Sequence, residues 1–525
     1  MLEPTTSQEI RDIISTLDDS KSSGPSSIPT KLLKIAIDVI SPKFSEICNL
    51  SFKEGIFPDI NKIAKVIPIH KKGPTNDVNN YRPISLLSTF SKIMEKLMAV
   101  RLNDFLQLHS IIYPNQFGFR AGCSTTHSLI SIIETINKTI EQKKFGCGVF
   151  IDLKKAFDTV NHNILLQKLE HYGIRDNALL WFNSYLTDRK QYVSLNGADS
   201  ITTNITCGVP QGSVLGPILF LLYINDLPNI SKHLKFFLFA DDTNIYLEDS
   251  NLNTLEKVMN NELKKLYEWL CINRLSLNIS KTNFVIFHAI NKPKFPITIL
   301  INKQAIDEVK YVKYLGVLID SHLSFKFHID ELTKKISRGI GILYKLPHYV
   351  TTKILINVYY AIIYPFLLYG ITIWGSACMS FLTPLHILQK KFVRLVTYND
   401  TYPVVPGPLT HTPPLFYKLK ILTIFDIYKL QLGKLVYDFL NNIGPTRSII
   451  QFTRASEIHN YYTRYADEGN FHSNWVRTTR FGLNDLQILG GNLWETLPSN
   501  IRDSKTKNIF VRRLKLNLIH GYSIQ

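Results

Sequence analysis

Two adjacent aspartates, Asp241 and Asp242, fall between two apolar runs, Phe236 to Ala240 and Ile245 to Leu247. Short apolar runs on either side of a polar pair read as a strand-turn-strand, which places both carboxylates at its tip. A third acid, Asp152, closes another apolar run, Gly146 to Ile151. An Asp-Asp pair in a turn is ordinarily turn chemistry, because Asp tolerates the unusual backbone and bonds its own neighbours. A chemistry that clamps two Mg²⁺ ions between carboxylates needs three such acids to converge. Between them in sequence lies the loop Gly208-Val209-Pro210-Gln211-Gly212.

Order and context favour the metal chemistry. The run CGVFIDLKKAFDTVNH at 147–162 is followed by GVPQGSVLGPILFLLYINDL at 208–227 and FFLFADDTNIYL at 236–247. With these three segments the chain resembles the reverse transcriptases of non-LTR retrotransposons, of the jockey and CR1 lineage. The likeness extends through KSSGPSSIP at 21–29, VIPIHKKG at 66–73, NNYRPISLLSTFSKIMEKL at 79–97, NQFGFRAGCSTTHSL at 115–129 and YLGVLID at 314–320, and covers nearly the whole chain. It implies an α+β right-hand polymerase with fingers, a palm built on an antiparallel sheet and a helical thumb. The implied parts are an N-terminal helical extension over 1–60, fingers and palm over 61–325, a thumb or connector over 326–440, and a mostly helical polyprotein tail over 441–525.

The resemblance also assigns roles. Asp152, Asp241 and Asp242 match the family's metal triad for two Mg²⁺ ions, with Mn²⁺ as a substitute, and Asp242 takes the more peripheral part. Phe157 stands where these enzymes set a bulky aromatic against the sugar 2′ position, although a Phe after a strand is ordinarily core. Viral RNA-dependent RNA polymerases place an Asp at that offset and Gly-Asp-Asp in the hairpin, so Phe157 and Ala240 favour DNA synthesis. Gln211 is implied at the nascent base pair, within a loop where Gly208, Pro210 and Gly212 let backbone approach template and primer. A bare PQG is otherwise a turn. Lys71 and Arg82 match fingers positions that grip the triphosphate; the sequence does not separate Lys71 from Lys72. Lys281 matches a lysine proposed to protonate pyrophosphate, against the plainer reading of a solvated side chain. Leu315 and Gly316 resemble the primer grip. Asp158 reads as a structural or capping carboxylate, and His127, His162 and His288 lack companions.

Composition bounds the rest. A 525-residue chain with 45% hydrophobic residues can build several subdomains, and 60 Lys and Arg against 42 acids leave +18, the footprint of a polyphosphate partner. Six cysteines (Cys48, Cys123, Cys147, Cys207, Cys271, Cys378) without CxxC or Cys/His clustering indicate neither zinc nor disulfides, but reduced, mostly buried thiols of an intracellular protein. The N-terminus is no secretory signal. Ile354 to Gln389 carries no Lys, Arg, Asp or Glu. Asn357, Pro365, Gly370 and several aromatics argue against a span there, and the segment reads as a buried, Pro-broken helical hairpin rather than a membrane anchor.

Along the chain, Thr6 and Glu9 form a capping-box pattern. Leu32 to Ile47 reads as one helix opened by Pro29. Val66 to Ile69 reads as a strand, Lys71 to Asn80 as a basic loop and Pro83 to Leu102 as a helix. Asn196-Gly197 marks a hairpin between Gln191 to Leu195 and Ile201 to Thr206. A Pro-rich loop spans Tyr402 to Pro414, followed by a helix from Leu419 to Phe439. The expected function is RNA-directed DNA polymerisation, with RNA template, DNA primer or target and dNTPs as partners and the nucleus as the family's place of action. Nothing resembles the upstream endonuclease or an RNase H domain, so the chain reads as a polymerase portion alone. The rival is a catalytically silent nucleic-acid-binding remnant.

Overall fold

In the computed structural model the described residues are 2–397 apart from 21, 23, 27 and 348, then 411–445, 449–450, 452–454, 471–472 and 485–523. At the centre is a five-stranded sheet. The wholly buried strand Phe145–Ile151 pairs antiparallel with Asp242–Asp249 on one side and Asn283–Phe287 on the other; Lys235–Phe239 and the short Asp307–Glu308 form the edges. Both faces are covered, and strand alternation divides the side chains between them. Cys147, Val149 and Ile151 pack with Leu255, Met259 and Leu263 of the Leu252–Ile272 helix, whereas Phe150 packs with Ile133 and Ile136 of the Thr125–Glu141 helix.

A second sheet carries the fingers. Ile63–His70 pairs antiparallel with Tyr81–Leu86 and parallel with Lys190–Leu195. Pro83 therefore lies in a strand, not in the helix expected from Pro83 onward, which begins at Thr89 behind the Ser88 cap. Tyr81–Leu86 is an edge strand, where a residue without N–H is tolerated. The Asn196-Gly197 hairpin forms, but its returning arm is split into Ala198–Asp199 and Thr203–Asn204.

At the N-terminus Thr6 accepts the Glu9 N–H at 3.2 Å and caps Ser7–Ser15, while the Glu9 carboxylate goes to Arg101 at 2.8 Å. The single helix expected from Leu32 to Ile47 breaks at Ala36 into Thr30–Ile35 and Ile37–Glu54.

The C-terminal region is helical from Lys326–Leu343 onward. The segment from Ile354 is broken at Pro365 as expected, but not into a buried hairpin. It runs through three short helices, Thr352–Ile362, Tyr364–Leu368 and Ile371–Trp374, interrupted near Pro365 and at Gly370, with Phe366 and Tyr369 exposed. Among the described residues no helix is long and apolar enough to cross a membrane. Of the Pro-rich loop, 402–410 lie outside the described residues, and Pro413 and Pro414 open the Pro413–Leu419 helix. The helix expected from Leu419 begins instead at Ile424, capped by Thr423, and ends at Leu440. The cysteines are unpaired, but only Cys48 and Cys147 are buried; Cys207, Cys271 and Cys378 are exposed.

Candidate active site

Register brings the three aspartates together. Ile151 faces Thr243 across the central ladder, so the next step outward sets Asp152 beside Asp242, at the end of the strand after which the chain turns away. Asp242 opens its strand opposite Phe239, and Ala240, at φ 54°, makes the bend that projects Asp241 and Asp242. The bend is braced from the 115–118 segment. Gln116, fully buried, accepts the N–H groups of Ala240 at 3.2 Å and Gly118 at 2.9 Å, and a Cβ on Gly118 would stand 2.3 Å from the Ala240 nitrogen. The sequence marked this segment only as part of a resemblance; Gln116 is the residue it missed.

The electrostatics agree with this convergence. Burial first, then Asp241 and Asp152, push the Asp242 carboxyl up to about 6. Asp241 is also raised, by burial and Asp152, and is opposed by the positive charges of Arg82 and Lys71. Arg82 lies opposite Ile69 in the fingers ladder, which Lys71 prolongs by donating to the Asn80 carbonyl at 2.8 Å. Lys71, next after the strand, continues its alternation on the face of Ile69 and Arg82, and its charge, unlike that of Lys72, is among those acting on Asp241. That separates two lysines the sequence left equivalent.

Asp152 is half-exposed and turned aside. Its Oδ2 accepts Asn278 Nδ2 at 2.7 Å and faces Lys281 Nζ at 3.6 Å. Among the described residues no three His, Cys, Asp or Glu side chains are already gathered around one point as metal ligands. The aspartates share one field without closing on a common centre. Asp241 and Asp242, both raised, with Asp152 beside them are nevertheless a donor set that a hard divalent cation would satisfy with oxygen ligands.

The 208–212 loop is clamped beside them. Gly208 and Gly212 adopt φ of 86° and 119°, and a Cβ on either would come within 2.7 Å of a backbone oxygen, of Asp158 and Ser85 respectively. Gly208 donates to the Val160 carbonyl at 2.7 Å, Val209 to that of Phe157 at 2.9 Å, and His162 Nε2 meets the Gly208 oxygen at 2.8 Å. Gln211 donates through Nε2 to Asp158 at 2.8 Å, while its carbonyl accepts the Ser85 N–H at 2.8 Å. Asp158 thus braces this loop, in keeping with the structural carboxylate expected of it, and His162 joins it, a role that no local pattern announces. Phe157 is half-buried, stacked on Phe220 at 4.5 Å with Phe119 edge-on at 6.3 Å.

Leu315 and Gly316 form the tight turn between Tyr311–Tyr314 and Val317–Asp320, both at positive φ, and the Tyr369 hydroxyl donates to the Leu315 carbonyl. Tyr314, buried, meets Ser128 Oγ at 2.5 Å; burial raises its phenol, and the charge of Asp242 adds to that. The primer-grip candidates are therefore neighbours of the triad.

A central sheet with paired carboxylates at a hairpin tip, met by a fingers ladder bearing Arg and Lys, defines a right-hand polymerase. Residues 69–319 match the reverse transcriptase (RNA-dependent DNA polymerase) family. Similar proteins include a probable RNA-directed DNA polymerase from transposon X-element of Drosophila melanogaster, 31% identical over 80% of this chain and 46% of the relative. Another, from transposon BS of the same species, is 32% identical over 78% of this chain and 46% of its own length. The RNA-directed DNA polymerase from mobile element jockey is 29% identical over 76% of this chain and 45% of the relative. The chain thus spans just under half the length of each.

Proposed function

We propose that the chain is an RNA-directed DNA polymerase that extends a primer 3′ end on an RNA template with dNTPs, as the polymerase part of a non-LTR retrotransposon working at a nuclear target. The observation that carries this reading is the shared field of Asp152, Asp241 and Asp242 with Arg82 and Lys71. Asp152 and Asp241 would hold two Mg²⁺ ions, with Asp242 more peripheral. Such ions lower the cost of ionising the primer hydroxyl and neutralise charge on the triphosphate and leaving oxygen.

The remaining parts supply position. Arg82 and Lys71, on one face, grip the triphosphate from the fingers. Gln211, tethered by Asp158 and Ser85, lies against the nascent pair, and Phe157 stands against the sugar 2′ position. Leu315 and Gly316 present backbone to the primer. Lys281, 3.6 Å from Asp152, is placed to donate a proton near the metal ligands.

Purified protein with Mg²⁺ should extend a DNA primer on RNA. Asp241→Asn should lower extension by roughly a hundred- to a thousandfold, the scale of losing a principal electrostatic group, while RNA binding persists because shape is kept. Wild-type protein that binds template-primer but adds no nucleotide with Mg²⁺ or Mn²⁺ would establish the silent-remnant reading instead.

A further inference from the structure

Behind the 208–212 loop lies a buried pair of opposite charges that the reading above does not use. Glu95, on the Thr89–Leu108 helix, and Arg189, between the Asp176–Leu186 helix and the Lys190–Leu195 strand, are 0% and 1% exposed. Arg189 donates through Nη1 to the Tyr185 carbonyl at 3.0 Å and lies 4.8 Å over the Tyr185 ring. Among the described residues its Nε and Nη2 have no hydrogen-bond partner. A guanidinium does not shed its proton, so this charge has to be balanced where it lies. Glu95 supplies the balance; burial drives its carboxyl up, and Arg189 is the strongest influence against that.

The Glu95 oxygens are also spoken for. Oε2 accepts the N–H of Val214 at 2.6 Å and of Leu215 at 3.3 Å, and Oε1 accepts Ser91 Oγ at 3.1 Å. Those two amides are at the start of the Leu215–Ile224 helix, where no intrahelical acceptor exists. They also follow Gln211 by three and four residues. Between them, Ser213 closes back on the Pro210 carbonyl through both its N–H, at 3.1 Å, and its hydroxyl, at 2.8 Å, and accepts the Gly216 N–H at 2.9 Å. The loop exit is therefore a rigid link, and a carboxylate from the fingers helix sets where it sits. Ionised acceptors make the shorter and stronger bonds, which is what a charged cap offers over a neutral one.

We infer that Glu95 is a positioning residue for Gln211: its carboxyl oxygens, holding the Val214 and Leu215 N–H groups, fix the exit of the 208–212 loop against the fingers helix and so set Gln211 relative to the aspartate tip. This rests on the proposed polymerase activity, in which Gln211 meets the incoming nucleotide. Glu95 itself touches neither substrate nor metal.

The test uses Glu95→Gln and the double variant Glu95→Gln/Arg189→Met in the full chain, read by thermal melting, by hydrogen exchange of the 213–216 amides, and by primer extension. Glu95→Gln leaves Arg189 unbalanced and should melt lower than wild type. The double variant buries no lone charge and should recover most of that loss. Its 213–216 amides should still exchange faster than in wild type, and the KM for dNTP should be raised roughly tenfold, within the hundredfold that an ångström of misplacement can cost, with template-primer affinity unchanged. A double variant that recovers melting, exchange and KM together would make the pair a structural ion pair and overturn the inference. If Glu95→Gln does not fold, the double variant alone decides. If neither folds, Glu95→Asp decides: it keeps the charge but withdraws the oxygens by one methylene, and wild-type exchange and KM there would overturn the inference. Wild-type protein that extends no primer would speak against the activity, while the exchange measurement would still judge the positioning.

Discussion

Asp242 combines a raised carboxyl with a place at the tip of the central hairpin, and the two together set a measurable pH dependence. Its value of about 6 lies above that of an unfolded Asp, so the folded chain holds the proton more tightly than the unfolded one. The stabilisation from that proton is complete below about pH 4 and is lost as pH rises through 6. Without divalent ions, Asp242→Asn should therefore melt above wild type at pH 7.5, and the two should converge near pH 4. Equal melting at pH 7.5 would show that folding does not raise the Asp242 carboxyl. Mg²⁺ should raise the melting temperature of wild type more than that of the variant, because a bound ion stabilises the state it binds. Phe157 tests sugar selection. Phe157→Val should raise the ratio of rNTP to dNTP incorporation several-fold by removing volume against the 2′ hydroxyl. Because the ring is half-buried against Phe220, the stability cost should be roughly 1–2 kcal/mol, below the 3–5 typical of fully buried Phe truncations. An unchanged nucleotide ratio in folded protein returns Phe157 to the core.

At the scale of elements, the central hairpin was legible because its signal is local: two apolar runs flank a polar pair, and both strands follow. Pro83 to Leu86 was misread because its neighbour is not local. Its hydrogen bonds go to Ile63–His70, and that pairing outweighs the helical pattern that follows. The same distinction bears on the basic helix Met379–Thr397, whose Lys390, Lys391 and Arg394 stand close in sequence as candidates for tracking a phosphate backbone. Helical geometry divides them. Lys390 and Arg394, four apart, line one cavity of about 860 Å³ together with His386, Lys429 and Tyr522, while Lys391 is exposed and outside it. Lys390→Gln with Arg394→Gln should weaken template-primer binding and flatten the slope of log affinity against log salt by roughly 1 to 2, since each lost phosphate contact removes about 0.7 to 0.9 from it. Lys391→Gln serves as the control. A wild-type slope in the double variant removes this face from the nucleic-acid surface.

Across the whole molecule, the two hydrophobic cores divide by sheet face rather than by position along the chain. One gathers residues from Ile10 to Ile306; the other joins the Thr125–Glu141 helix to the helices after Lys326 and reaches Tyr522. The helical C-terminal region thus packs onto the same sheet that carries the aspartates, and this underlies the contact of Tyr369 with the Leu315 turn. By itself the sequence marked the reverse-transcriptase-like segments, the three aspartates and the loop around Gln211 as candidates, and fixed the basic balance of +18, because each depends on residue types at short spacing or on a simple sum. Tertiary structure decided the rest. Gln116 under the hairpin bend, Asp158 and His162 on the loop, Glu95 at its exit and the choice of Lys71 over Lys72 all depend on partners tens to more than a hundred residues away or on a strand's facing. A single chain states the residues at such contacts, but only packing states which of them meet.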